Sequence, residues 1–192
     1  SISDRAIVYH KIIESSQGVL NIESAFDIRH CLEYLPRTLK SDFVNRCVSQ
    51  NRIMPVIRKH QDLKHILAHL EKSSLAMRGV FGTIIDGDID TYRFCSDLSQ
   101  LQYLLPLCPR ELRSQLFKKV SKNILPNLTW RQLHALENHC LELESPDCLK
   151  TILDHVLADG NLRLIMQRSP EVDQEIIENL CELMSLSTEL GH

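Results

Sequence analysis

A register of 35 residues constrains this chain more than any other feature. Asp27-Ile28, Asp62-Leu63, Asp97-Leu98 and Gln132-Leu133 recur at that spacing. Cys31, Ile66, Leu101 and Leu136 follow in step, and Leu35, Leu70, Leu105 and Cys140 come four residues later. Apolar residues at i, i+3 and i+7 line one face of a helix, here termed helix A. A second pattern follows each A helix: an apolar residue, a basic residue, and an apolar residue four after the first. It reads Leu39-Lys40 with Phe43, Met77-Arg78 with Phe81, Leu112-Arg113 with Leu116, and Leu149-Lys150 with Leu153. This is helix B. Pro36, Pro109 and Pro146 stand at or near its start, where a missing N–H costs nothing.

Two helices and their turns fill a period of this length, and one such hairpin cannot bury its apolar stripe alone. The pattern therefore predicts an all-α chain. Its architecture is an α-solenoid of about four helical-hairpin repeats, with hairpins near 26–48, 61–85, 97–121 and 130–158. We read 1–192 as a single domain, with a cap over 1–25, repeats over 26–167 and a C-terminal cap over 168–192. The caps are amphipathic. Ile7, Val8, Ile12 and Ile13 line the first; Val172, Ile176, Ile177, Leu180 and Met184 line the second. Ile53-Met54-Pro55-Val56-Ile57 matches Ile124-Leu125-Pro126-Asn127-Leu128, and the proline breaks the chain between repeats. Thr129 with Gln132 three residues on has the spacing of a capping box. Ser145-Pro146 places Ser at an N-cap and Pro at the first helical position.

Composition agrees. Aromatics are only 5%, with 6 Gly and 7 Pro, too few turn and β-prone residues for a sandwich or barrel. No run of 18 apolar residues exists to span a membrane. The net charge of −3 hides an asymmetry. Residues from Gln132 onward hold 12 acids and 3 bases, a net of −9, leaving +6 on the first 131. Positive potential is expected over repeats one to three and negative potential over the last helices. The 7 cysteines include no CxxC and sit mostly among Leu, Val and Ile, as small buried hydrophobes of a reducing compartment. Cys31, Cys47 and Cys140 are expected to be reduced and mostly buried.

The repeats resemble those in secreted effector proteins of intracellular bacteria of the Legionella and Coxiella kind. Asp27-Ile28, Leu35-Pro36, Asp97-Leu98, Leu105-Pro106, Arg113 and Leu125-Pro126-Asn127-Leu128 carry the resemblance, over about three-quarters of the chain. Repeat two lacks Leu-Pro and repeat four lacks the Asp. The resemblance implies a virulence protein secreted into the host cytoplasm, and a non-catalytic region that binds a host protein.

Motifs of catalysis are weak. His60, His65 and His69 include an i, i+4 pair, but no Glu follows His65 and no spacing supplies a third metal ligand. Asp86, Asp88, Asp90 and Asp97 imitate calcium-loop positions, yet Thr91 stands where the loop needs Gly. His30-Cys31 and His139-Cys140 are adjacent on helices, about 100° apart, and cannot act as base and nucleophile side by side. No phosphate-cradling glycine loop or GxSxG occurs, so no enzyme and no cofactor is expected.

The basic clusters carry more. Arg58, Lys59 and Lys64 lie early, and Lys118, Lys119 and Lys122 lie opposite or flanking the apolar face of the third B helix. These six are the candidate partner-binding residues, for a host protein first and for an anionic phosphoinositide lipid as the alternative. No nucleic-acid partner is expected. An enzyme whose site is assembled from distant residues is a weaker alternative. A structural ion pair is also expected in each repeat, joining the A-helix acids Asp27, Asp62 and Asp97 to the B-helix bases Lys40, Arg78, Arg113 and Lys150.

Overall fold

The computed structural model describes residues 22–72, 74–88 and 90–169. They are all-helical, with no strand among the described residues. Nine α-helices occur among the described residues: α1 Ala25–Tyr34, α2 Arg37–Ser49, α3 His60–Leu67, α4 Leu75–Asp86, α5 Leu98–Leu104, α6 Arg110–Ile124, α7 Trp130–Glu142, α8 Pro146–Leu157 and α9 Asn161–Gln167. The first eight fall where the 35-residue register places four A–B pairs. The two cap segments lie almost wholly outside the described residues.

Contacts sort the chain into two compact units. One runs to Cys95 and includes Leu107–Leu112; the other holds Ser96–Pro106 and Arg113 onward. In the first unit α1 packs on α3 and α2 packs on α4, so A meets A and B meets B. Ile28, Leu32, Phe43, Val44, Leu63, Ile66, Met77 and Phe81 form its core. In the second, α5 packs on α7, and α8 packs on both α7 and α9. Its core holds Leu101, Leu104, Leu116, Phe117, Val120, Leu136 and Ile152.

Helix starts follow local chemistry. Asp27 stands three residues after the Ser24 N-cap, and its Oδ2 accepts from the Ser24 N–H (2.8 Å) and hydroxyl (2.9 Å). Asp62 does the same one repeat later, accepting from the amides of Arg58 (3.0 Å) and Lys59 (3.2 Å). Asp97 is itself the N-cap of α5 and takes the Gln100 amide at 2.9 Å. The third A helix thus begins three residues later in the register than the first two. Thr129 and Gln132 close the capping box that their spacing predicts. Ser145 is the N-cap of α8, with Pro146 at the first helical position, but its hydroxyl makes no cap bond; it turns to Leu143 O at 3.3 Å.

Gly79 lets α2 and α4 approach closely, since a Cβ there would lie 3.2 Å from Val48 Cγ1. Around a Cβ at Gly82, three residues on in the same helix, nothing lies within 4 Å. Two substitutions should therefore differ in sign. Gly82→Ala gains about 0.5–1 kcal/mol from helix propensity. Gly79→Leu overpacks Val48 and costs about 1–3 kcal/mol. Urea unfolding of both variants checks this, and a stabilising Gly79→Leu would refute the close approach.

Candidate interaction surface

The N-terminal halves of α1 and α3 border a groove in the first unit. One part, of about 220 Å³, is lined by Ala25, Phe26 and Arg29 of α1 and by Lys59, Gln61, Asp62 and His65. A neighbouring part, of about 410 Å³, shares Ala25, Lys59 and Asp62 and adds Ser24, Val56 and Arg58. Two of the six sequence-predicted residues, Arg58 and Lys59, line this groove. Both are exposed, and Lys64 is exposed on α3.

Phe26, which lines the groove, begins an aromatic rail on α1. Phe26 is 67% exposed and stacks on His30, with ring centroids 5.8 Å apart and planes at 18°. His30 in turn meets the Tyr34 ring at 4.6 Å in an edge-on arrangement. The i, i+4, i+8 spacing of these three places them on one helical face. This rail is legible in the sequence by its spacing, yet reading His30 beside Cys31 directs attention to the wrong neighbour. Arg29 bonds Glu33 at 2.8 Å, so one cation of the groove edge is partly neutralised. That hydrogen bond is the main cause holding the Glu33 carboxyl below its ordinary range. Asp27 is lowered too, chiefly by the Ser24 hydroxyl. Asp62, the acid of the groove wall, is thus taken up by helix-start amides, while Arg58 and Lys59 are exposed at the rim.

Lys118, Lys119 and Lys122 belong to the second unit. Lys118 and Lys122 are exposed on α6, and Lys119 is half-buried. The six candidates are therefore divided between the two units.

The expected acid–base pair between A and B helices is corrected. The acids cap their own helices, as described above, and the bases take other partners. Lys40 Nζ donates to His69 Nδ1 at 3.2 Å. Arg78 meets Glu111 at 3.1 Å, with both side chains about half exposed. Lys150 is exposed. Arg113 gives Nε to Leu105 O (3.1 Å) and Nη1 to Leu143 O (2.8 Å) and Ser145 Oγ (3.3 Å). The physical reason is competition: an acid near a helix start finds unpaired amides within its own turn, at no loop-closure cost. A planar guanidinium suits the paired carbonyls at helix C-termini.

The histidines also disperse. His60 Nδ1 donates to Phe94 O at 2.8 Å, and the Gln61 amide donates to His65 Nε2 at 3.1 Å. Among the described residues, no three His, Cys, Asp or Glu side chains gather as a metal-holding group. Asp90 caps the short turn Thr91–Arg93 through the Tyr92 amide at 3.0 Å. Cys47 and Cys140 are buried and Cys31 is half-buried, and none of the three is in a disulfide. Burial pushes the Cys47 thiol up to about 12.

Burial also lowers the titration of His69, helped by Lys40, and of His155. Both rings must take up a proton more reluctantly in the folded chain than in the unfolded one. The unfolded chain therefore binds more protons as pH falls through the ordinary histidine value of 6.5. Stability is full above that value and declines as pH drops toward the folded values. Urea midpoints at neutral and mildly acid pH should show this decline, and His69→Gln with His155→Gln should flatten it. An unchanged slope in the double variant would refute the assignment.

Comparison with protein-family models, with curated proteins and with solved structures finds no match. Among the described residues, no helix is long and apolar enough to cross a membrane.

Proposed function

We propose that this chain is a non-catalytic protein-interaction scaffold. The finer architecture we infer is an α-solenoid of about four helical-hairpin repeats, each too thin to fold alone. Read with the sequence resemblance, the scaffold is the host-target-binding region of a bacterial effector that acts in the host cytoplasm. One observation carries the binding reading: an aromatic rail beside a groove rimmed by Arg58 and Lys59. Aromatic and arginine side chains are the commonest anchors of protein interfaces, and large exposed rings cost the free chain solubility. The rim charge fits an acidic partner segment.

Pull-down from host-cell lysate tests this. The intact chain should retain a partner whose capture falls steeply as salt rises. Capture should be lost in Phe26→Ala/Arg58→Glu/Lys59→Glu and kept in a Lys118, Lys119 and Lys122 triple alanine variant. The reverse pattern would move the site to α6. Capture by neither surface would remove the binding reading.

A second reading, an anionic-lipid module, is supported by the exposure of Arg58 and Lys59 at the groove rim. Flotation on phosphoinositide vesicles, with neutral vesicles as control, separates the two.

A further inference from the structure

Lys40 lies in the first turn of α2, and His69 stands just past the end of α3. Both are half-buried, so a small reagent reaches them. Lys40 Nζ and His69 Nδ1 are 3.2 Å apart. An ammonium has three donors and no acceptor, so Nδ1 accepts and the ring proton sits on Nε2. Burial first, then Lys40, hold His69 below its ordinary value of 6.5; His65 and Arg29 add to this and Glu33 opposes it. The ring is therefore neutral at neutral pH. The charged groups around it come from every neighbouring element: Arg29 and Glu33 of α1, Lys40 of α2 and His65 of α3. Arg29 and Glu33 pair with each other at 2.8 Å, and Arg37 and Glu71 at 3.2 Å. An amine thus stands beside an imidazole within the reach that general-base catalysis requires. The interface described above uses neither group.

We propose that Lys40 is an acylation site: its amine takes an acyl group from an activated donor, an acyl phosphate or an acyl thioester, with His69 as the general base. The ammonium first loses one proton to solvent. The amine that remains keeps one N–H on His69 Nδ1, which leaves its lone pair free to attack the donor's carbonyl carbon. The C–N bond forms, and the carbonyl electron pair moves onto oxygen. Bond formation makes the nitrogen's protons acidic, and His69 Nδ1 takes one of them. The oxyanion then re-forms the carbonyl, and the bond to the phosphate oxygen or thioester sulfur breaks. The leaving group departs with the proton that the imidazolium returns. The products are an amide on Lys40 and free phosphate or thiol, with no change of oxidation state. The first unit loses one positive charge. The base, and not exposure, singles out this lysine. Lys118 and Lys122 are exposed on α6, so exposure alone would label them before the half-buried Lys40.

The full chain is incubated briefly with acetyl phosphate in one arm and acetyl-CoA in the other. It is then unfolded, its remaining amines are capped with deuterated acetic anhydride, and it is cleaved after arginine for mass spectrometry. Peptide 38–46 carries Lys40 alone, and peptide 114–131 carries Lys118, Lys119 and Lys122. Lys40 should be acetylated at least about tenfold faster than Lys118 or Lys122, a modest share of the gain of about a hundredfold or more that a positioned base supplies. The donor that gives this selectivity is the source of the acyl group. His69→Gln should bring Lys40 down to the Lys118 rate and leave Lys118 unchanged. In the unaltered chain the ratio of Lys40 to Lys118 labelling should hold steady above pH 6.5 and fall as pH drops through the His69 range, since a protonated ring accepts nothing. Titration of the two amines cancels in that ratio. Should His69→Gln fail to fold by circular dichroism, the ratio decides alone. Labelling of Lys40 no faster than of Lys118 with both donors, selectivity that survives His69→Gln, or a ratio indifferent to pH would overturn the proposal.

Discussion

Arg113→Ala should destabilise the second unit by about 2–4 kcal/mol. The guanidinium reaches the end of α5 through Leu105 O and the end of α7 through Leu143 O. These are helix C-termini, whose carbonyls have no partner within their own helix. Hydrogen bonds to a charged group contribute about 1.5–3 kcal/mol, and an acceptor stranded in a half-buried site adds to the loss. Arg113→Met should lose nearly as much, because its partners are backbone groups that no second substitution can remove. Arg113→Lys should recover only part, since one ammonium cannot span the fork. Urea unfolding followed by circular dichroism checks the series. A loss below about 0.5 kcal/mol, the value of a solvated surface pair, would reject the bridge.

Phe81→Ala should cost about 3–5 kcal/mol, the largest loss we expect from a single side chain. Phe81 is 0% exposed on α4, the helix that packs on α2. Removing its ring leaves a cavity that side chains fixed on the facing helix cannot fill by rotation alone. For a chain of this size such a loss lowers the thermal midpoint by about 6–20 °C. Phe81→Leu, which keeps much of the volume, should cost far less. Equal costs for the two variants would show that the α2–α4 contact is loosely packed.

The repeat made the helices readable. An apolar residue every three or four positions names the buried face, and Ile66, Leu101 and Leu136 are buried as the register requires. Cys31, their counterpart in the first repeat, is only half-buried, for reasons the register does not contain. Turn chemistry was equally legible. Pro55 and Pro126 both lie exposed at a break whose flanking Ile53, Ile57, Leu125 and Leu128 are buried. The candidate surface was legible only in part. Arg58 and Lys59 stand out by charge, whereas Phe26, His30 and Tyr34 form a rail that composition conceals in a chain with few aromatics.

What the sequence determined by itself is local: helix positions, buried faces and caps such as Thr129 with Gln132. Each depends on residues within about two turns, so spacing along the chain is spacing in space. Only the tertiary structure decided the partners of the repeated bases. Lys40 finds His69 and Arg113 finds Leu143, 29 and 30 residues away. Such pairings are settled by which helix ends meet after packing, and by the nearer amides that already occupy Asp27, Asp62 and Asp97. An acid three residues from an unpaired N–H is captured before any distant base arrives.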